Sequence, residues 1–139
     1  MYEYQLAYWA GLFDGEGSVI IQLPARSLRY FTLRATLANT HEGVVRGLQA
    51  AWGGSVSRAH YESREPRILY TFSISGVPAA AFLRAIRPWS VIKAKQIDLG
   101  IEFQMAKRDA RALLEDERTD QIAIGAAARE RLRLMRREA

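Results

Sequence analysis

The segment Gln5–Leu23 constrains the fold most, because it predicts a helix that leads directly into a strand. Gln5–Phe13 (QLAYWAGLF) has the composition of a helix, and Gly15 and Gly17 are expected to end it, since glycine weakens helices. Ser18–Leu23 (SVIIQL) is rich in β-branched residues and predicts a strand. A helix followed at once by a strand begins the chain.

The same alternation of helices and strands continues to the end of the sequence. After the first strand we predict three further strands, over Arg29–Asn39, Ser55–Tyr61 and Ile68–Ser75. A helix over His41–Trp52, with Thr40 as its cap, separates the first two of these. After the last strand we predict a helix from Pro78 to about Arg87 and helices over about Val91–Asp109 and Thr119–Glu138. Turns are expected at Pro24–Ser27 and Glu62–Arg67. The order favours an α+β fold, in which a four-stranded antiparallel sheet carries helices on one face.

The other face of this sheet is expected to be polar. Its strand positions alternate with apolar ones and carry short polar groups and an arginine: Gln22, Thr32, Arg34, Thr36, Ser55, Ser57, Thr71 and Ser73. Such side chains can hydrogen-bond the edges of DNA bases. Any half-exposed antiparallel sheet has a similar face, however, so the pattern alone leaves both interpretations open.

The first helix has two different faces. Leu6, Trp9 and Phe13 are expected to anchor it in the core of its own chain. A second face is lined mainly by small residues, which would let another helix approach closely: Ala7, Ala10, Gly11 and Asp14. This arrangement predicts a helix that contacts two separate partners.

Two acids lie at the C-terminal end of this helix, where the helix macrodipole disfavours negative charge. A bound cation would reverse that sign, so Asp14 and Glu16 suggest a metal site. Gly15 would expose its carbonyl oxygen, a hard ligand suited to Mg²⁺. The alternative is a plain Asp-Gly turn in which Glu16 is solvated.

Composition narrows the classes of partner. The net charge of +5 suits a polyanion, although it is also compatible with solubility alone. The chain has no cysteine and only two histidines, so a metal would need oxygen ligands. We expect a single domain over residues 1–139 that neither spans a membrane nor takes a small-molecule substrate. An intracellular location, in a cytoplasm, nucleoid or organelle, is expected because no secretory signal begins the sequence.

The segment Tyr8–Val19 (YWAGLFDGEGSV) closely resembles the signature of the LAGLIDADG homing endonucleases. Trp9 stands at the first leucine, Phe13 replaces isoleucine and Gly15 replaces alanine. Glu16 replaces the second aspartate, which keeps the carboxylate but lengthens its reach. The resemblance covers roughly residues 4–108, and implies the αββαββα fold of that family with a saddle-like sheet. Residues from about 109 to 139 would form a helical extension.

The resemblance also implies an activity. Since the chain has one copy of the signature, it is similar to the homodimeric branch, in which each subunit binds half of a partly palindromic double-stranded DNA site. Glu16 and the Gly15 carbonyl would hold Mg²⁺ for phosphodiester hydrolysis, giving a double-strand break. Mn²⁺ would substitute, and Ca²⁺ would support binding without cleavage. The small-residue face, Ala7, Ala10, Gly11 and Asp14, would form the dimer interface.

Three further catalytic candidates follow from the same resemblance. His41, just after the second strand, aligns with a polar residue that orients water, or it simply opens the helix. Lys93, after the Pro88–Trp89 pair, aligns with a lysine that stabilises phosphate charge, or it is a solvated helix start. Gln96, three residues on, would share its network.

The DNA-binding residues implied by the resemblance fall into two groups. Base reading would fall on Ile20, Gln22, Thr32, Arg34, Thr36, Ser57, Tyr61, Leu69 and Thr71. Phosphate contacts would come from arginines near loops, namely Arg26, Arg29, Arg58, Arg64 and Arg67. In the third strand, Arg58 and His60 could exchange faces with Ser57 and Ala59. The arginine-rich segment from Arg129 to Arg137 either contacts flanking DNA backbone or forms a solvated helix face.

Two other classes remain open at the level of sequence. A relative without cleavage activity would act as an RNA-splicing maturase or a DNA-binding regulator. A structural or protein-interaction domain would have to explain a sheet face without a continuous apolar patch.

Overall fold

A computed structural model of the chain describes residues 1–23, 30–62, 67–107 and 115–138. The helices are α1 (Glu3–Glu16), α2 (Glu42–Trp52), α3 (Gly76–Ile86), a 3₁₀ helix (Arg87–Trp89), α4 (Ala94–Ala106) and α5 (Glu115–Glu138). The strands are β1 (Gly17–Gln22), β2 (Thr32–Asn39), β3 (Ser55–Tyr61) and β4 (Arg67–Ser75). The predicted α+β fold class is confirmed.

The four strands form one antiparallel sheet in the order β1-β2-β4-β3. Alternate residues of β1 and β2 point into a core that the helices complete, with Val19, Leu33 and Leu37 fully buried. Phe13 of α1 and Phe82 of α3 pack edge-to-face in the same core, with ring centroids 5.8 Å apart. On the opposite face, the β1 and β2 side chains stay partly exposed, so within the described residues this face of the sheet is open.

Helix α1 runs further than its glycines predict. It includes Gly15 and ends at Glu16, and the backbone N–H of Gly17 then donates to the Phe13 carbonyl. Gly17 is required here, because a β-carbon at this position would overlap the Phe13 ring. Glu16 is therefore the last helical residue, immediately before β1.

Other boundaries differ from the prediction by a few residues. The α2 cap is His41 rather than Thr40, since its Nδ1 accepts a hydrogen bond from the Val44 N–H at 3.1 Å. The predicted helix from Val91 begins instead at Ala94, after a turn in which the Val91 and Lys93 N–H groups donate to the Asp14 carboxylate of α1.

Helix α5 lies against the outer edge of β1. Leu132 is buried beside Ile20 and Ile21 of β1, Ala128 is buried beside Leu99 and Phe103 of α4, and the Arg136 guanidinium donates to the Val19 carbonyl. A β-carbon on Gly125 would overlap Phe31, so the helix approaches this residue closely. The edge of β1 is thereby covered.

Some predictions lie outside the described residues: the turn at Pro24–Ser27, most of the turn at Glu62–Arg67, and the arginines Arg26, Arg29 and Arg64. Within the described ranges, no helix is long and apolar enough to cross a membrane.

Candidate active site and DNA-binding face

Glu16 and Asn39 meet at the junction of α1, β1 and β2. Gly17 pairs with Leu37 in the antiparallel register, so the end of β2 returns beside the end of α1. Asn39 Nδ2 donates to Glu16 Oε2 at 2.5 Å, and Glu16 is otherwise exposed. The bond orients one carboxylate oxygen and leaves the other accessible.

The sequence did not single out Asn39 as a site residue. Its Oδ1 also accepts the His41 N–H at 2.8 Å, so its amide orientation is fixed from both sides. The polar run after β2 (NTHE) contains both residues, and the resemblance pointed to His41. Counting from the apolar alternation of β2 places Asn39, not His41, at the end of the strand beside Glu16.

His41 lies nearby with a different role. Its Nδ1 accepts the Val44 N–H, which satisfies one of the free N–H groups at the start of α2. The side chain is exposed. The structure thus gives His41 the helix-opening role, and the catalytic role stays a prediction of the resemblance alone.

Lys93 lies at the C-terminal end of α1. Its Nζ donates to the carbonyl oxygens of Phe13 at 3.2 Å and Asp14 at 2.7 Å. These carbonyls belong to the last turn of the helix, where the macrodipole is negative, so a cation is favourable there. Lys93 and Glu16 are therefore held at the same helix end, 77 residues apart in sequence.

Burial lowers the pKa of the half-buried Lys93 ammonium below its ordinary value of 10.5. Asp14 opposes this shift by favouring the charged form, whereas the charge of Arg136 on α5 lowers the pKa further. The positive charges of Lys93 and Arg136 therefore repel each other.

Asp14 fixes the segment that carries Lys93. Its carboxylate accepts the Val91 N–H at 2.9 Å and the Lys93 N–H at 3.1 Å. Only 8% of Asp14 is exposed. Its charge at the end of a helix is thus explained by these backbone donors, without a metal.

The predicted small-residue interface needs correction at two positions. Ala10 is fully buried and Asp14 is nearly so within the chain, so neither can form the contact surface of a second subunit. A different line of residues along α1 is exposed, namely Tyr4, Tyr8, Gly11 and Gly15. Ala7 is partly exposed and lies beside this line. The face is rotated because the 3₁₀ helix and the residues after it cover the side that carries Ala10 and Asp14.

Gln96 occupies the first turn of α4 and is 6% exposed. It borders a cavity of about 520 Å³ that Val91, Ile92 and Met135 also line. Gln96 and Met135 of α5 therefore face the same cavity. Its participation in catalysis remains a prediction.

The donor set fits a hard divalent cation only in part. Glu16 supplies an exposed carboxylate, and Gly15 is exposed beside it. Oxygen ligands are those that Mg²⁺ and Ca²⁺ prefer. Among the described residues, no group of three or more histidine, aspartate or glutamate side chains could hold a metal. Glu16 is therefore the one exposed side-chain carboxylate that each chain supplies at this helix end, among the described residues.

The open sheet face brings together all nine predicted base-reading positions. Strand register aligns them on one side of the sheet: Ile20, Gln22, Thr32, Arg34, Thr36, Ser57, Tyr61, Leu69 and Thr71. The ambiguity in β3 is resolved, because Ser57 pairs with Thr71 on this face while Arg58 pairs with Tyr70 on the other. Arg67 pairs with Tyr61 at the end of the same face.

Two of these side chains have partners within the chain. Arg34 Nε donates to Ser73 Oγ at 2.7 Å, which fixes the guanidinium above the centre of the sheet. Thr32 Oγ1 accepts from Lys107 Nζ at 3.0 Å. Burial lowers the pKa of Lys107. Hydrogen bonds within the chain therefore hold some side chains of this polar face in place, among them the Arg34 guanidinium near its centre.

No family model and no curated protein matches the chain. Solved structures do match, and homing endonucleases are among them. I-CvuI, solved in complex with its target in the presence of Ca, has 16% identity and a TM-score of 0.73 over 95% of this chain and 82% of its own. The archaeal intron-encoded I-Vdi141I, complexed with DNA, has 12% identity and a TM-score of 0.67 over 91% of this chain and 82% of its own. I-TnaI has 15% identity and a TM-score of 0.59 over 96% of both chains.

The chain therefore has a homing endonuclease fold. More particularly, it is similar to I-CvuI, I-Vdi141I and I-TnaI along nearly its whole length. The resemblance to the LAGLIDADG homing endonucleases that the motif suggested is confirmed at the level of the fold.

Proposed function

We propose that the protein is a site-specific DNA endonuclease that acts as a homodimer with a divalent metal ion. The observation that carries the proposal is the position of Glu16, held by Asn39 at the same helix end as Lys93. The polar open face begins next to this cluster, since β1 starts at Gly17. A duplex on that face would bring its phosphates to the carboxylate and the ammonium.

Each side chain of the cluster has a distinct task. Glu16, with the Gly15 carbonyl, would hold Mg²⁺, which supplies an activated water and stabilises charge on the phosphate oxygens. Asn39 orients the Glu16 carboxylate through its short hydrogen bond. Lys93 uses two of its three N–H donors on helix carbonyls, so a third remains for a phosphate oxygen.

Homodimer formation would complete the metal site. The exposed line on α1 contains Gly11 and Gly15, and an added β-carbon at either would meet nothing within 4 Å. A second copy of α1 could approach this face closely and place its own Glu16 nearby. This arrangement supplies the second carboxylate that one chain lacks.

Related structures support the proposal through what they contain. I-CvuI was solved with its DNA target and Ca, and also with a second target and Mg in which the DNA was not cleaved. These complexes support the binding of DNA and the use of a divalent ion by this chain.

The test is cleavage of a supercoiled plasmid that carries the uninterrupted form of the locus encoding this gene. With Mg²⁺ or Mn²⁺ the expected product is linear DNA, and with Ca²⁺ we expect bound but intact plasmid. Tight binding of this locus without cleavage in Mg²⁺ would contradict the nuclease assignment and favour a DNA-binding regulator.

A further inference from the structure

Helix α5 is anchored against β1 and against Phe31, the residue that precedes β2. Leu132 is 2% exposed, and Gly125 lies against Phe31 with no room for a side chain. The Arg129 guanidinium lies 4.9 Å from the centre of the Phe31 ring, a cation–π distance. These contacts fix the rotation of α5 about its own axis, and with it the positions of the arginines that face β1.

A groove of about 250 Å³ separates this part of α5 from β1. Its lining consists of Ile20, Ile21, Gln22, Arg129, Leu132, Arg133 and Arg136. Three of the seven lining residues are cations and none is acidic. A neighbouring ion pair, Arg133 with Glu130 at 3.6 Å, is more than half exposed on both sides and is therefore weak.

The groove opens beside the sheet face that would read DNA. Ile20 and Gln22 line it, and both pair with residues of the open face, Arg34 and Thr32. A ligand in the groove would thus lie at the margin of the same surface. Guanidinium groups bind phosphate oxygens in a bidentate manner, whereas aliphatic neighbours offer no competing anion.

We propose that this groove is a backbone-binding site, in which Arg129 and Arg133 contact a phosphate of the duplex that lies on the open face. This inference rests on the proposed function. The site positions the DNA and adds affinity that does not depend on base sequence. It gives the C-terminal helix a function beyond covering the edge of β1.

The experiment measures binding of a fluorescent duplex of arbitrary sequence across a range of KCl concentrations. The variant is R129Q/R133Q, and R129K/R133K keeps the charge. Arg136 is left intact because it bonds the Val19 carbonyl. The matched control is R84Q, since Arg84 is exposed on α3, on the opposite side of the sheet.

The slope of log affinity against log salt should become shallower by about 0.9 per chain, or roughly 2 for the homodimer, because each chain of the double variant no longer neutralises one phosphate. R129K/R133K and R84Q should keep the wild-type slope, and all variants should keep the wild-type melting temperature within a few degrees. A wild-type slope in a folded R129Q/R133Q protein would overturn the groove assignment and leave the proposed function intact. Absence of any duplex binding by the wild type would overturn both.

Discussion

At the scale of single residues, Glu16 lies where a helix disfavours negative charge by about 0.3–1 kcal/mol. Asn39 donates to this carboxylate, and Lys93 donates to the two carbonyls of the last helical turn. These donors reduce the unfavourable field and hold the carboxylate in a defined position. A carboxylate that is stabilised but still exposed is suited to bind a cation.

Asn39 and His41 provide a matched pair of substitutions. N39A should lower the cleavage rate by at least tenfold, because Glu16 loses its orienting donor. H41A should leave cleavage nearly unchanged and lower the free energy of unfolding by about 0.5–2 kcal/mol, since it removes the α2 cap. Cleavage kinetics and urea denaturation measure the two effects. The reverse result, with H41A inactive and N39A active, would return the catalytic role to His41.

Lys93 should titrate below 10.5, because burial disfavours its charge and so lowers its pKa. Below its folded-state pKa the charge therefore reduces stability, and this penalty disappears as the pH rises from the folded-state pKa to the unfolded one. R136Q should raise the Lys93 pKa, while R136K should leave it nearly unchanged. The ¹³Cε resonance of Lys93 followed against pH measures this directly. An identical titration in R136Q would show that α5 does not influence the site.

At the scale of elements, three sides of α1 meet three different surroundings: the core, the backbone segment that carries Lys93, and solvent. Phe13 packs in the core, Asp14 holds the backbone at 91–93, and Gly11 is exposed. The third of these faces is the one that a second subunit would occupy.

The exposed line on α1 leads to a prediction about assembly. The wild-type protein should sediment as a dimer at micromolar concentration, and G11R should sediment as a monomer with unchanged helical content. A β-carbon at position 11 meets no atom within 4 Å, so the substitution introduces no clash at that atom. Gly47 on α2 also has open space around it, and G47R is the control that should stay dimeric. A dimeric G11R protein, or a monomeric wild type with DNA, would contradict this interface.

Period-two alternation makes the sheet predictable from sequence. The pattern points Leu33, Ala35 and Leu37 inward and Thr32, Arg34 and Thr36 outward, as the structure has them, because each strand has only two faces. The faces of α1 are less predictable. Ala10 and Asp14 look like surface residues, yet the segment that buries Asp14 lies 77 and 79 positions away. Sequence spacing carries no information about such contacts.

At the scale of the whole molecule, helices cover one face of the sheet, α5 covers the β1 edge, and the other face stays polar and open. The candidate active site lies where α1 enters this sheet, and the arginine groove lies along the neighbouring edge. A duplex on the open face would contact both. The proposed DNA reading, backbone binding and chemistry would therefore all lie on one side of the chain.

The measurement that tests the central claim most directly compares E16Q with the wild type on the same plasmid in Mg²⁺. The conservative change removes the negative charge and keeps the size of the side chain. We predict that E16Q forms no linear product while its affinity for the target stays within a few-fold of wild type, and that E102Q, a change at an exposed glutamate of α4, cleaves normally. Full cleavage by E16Q would show that the metal-binding carboxylate lies elsewhere.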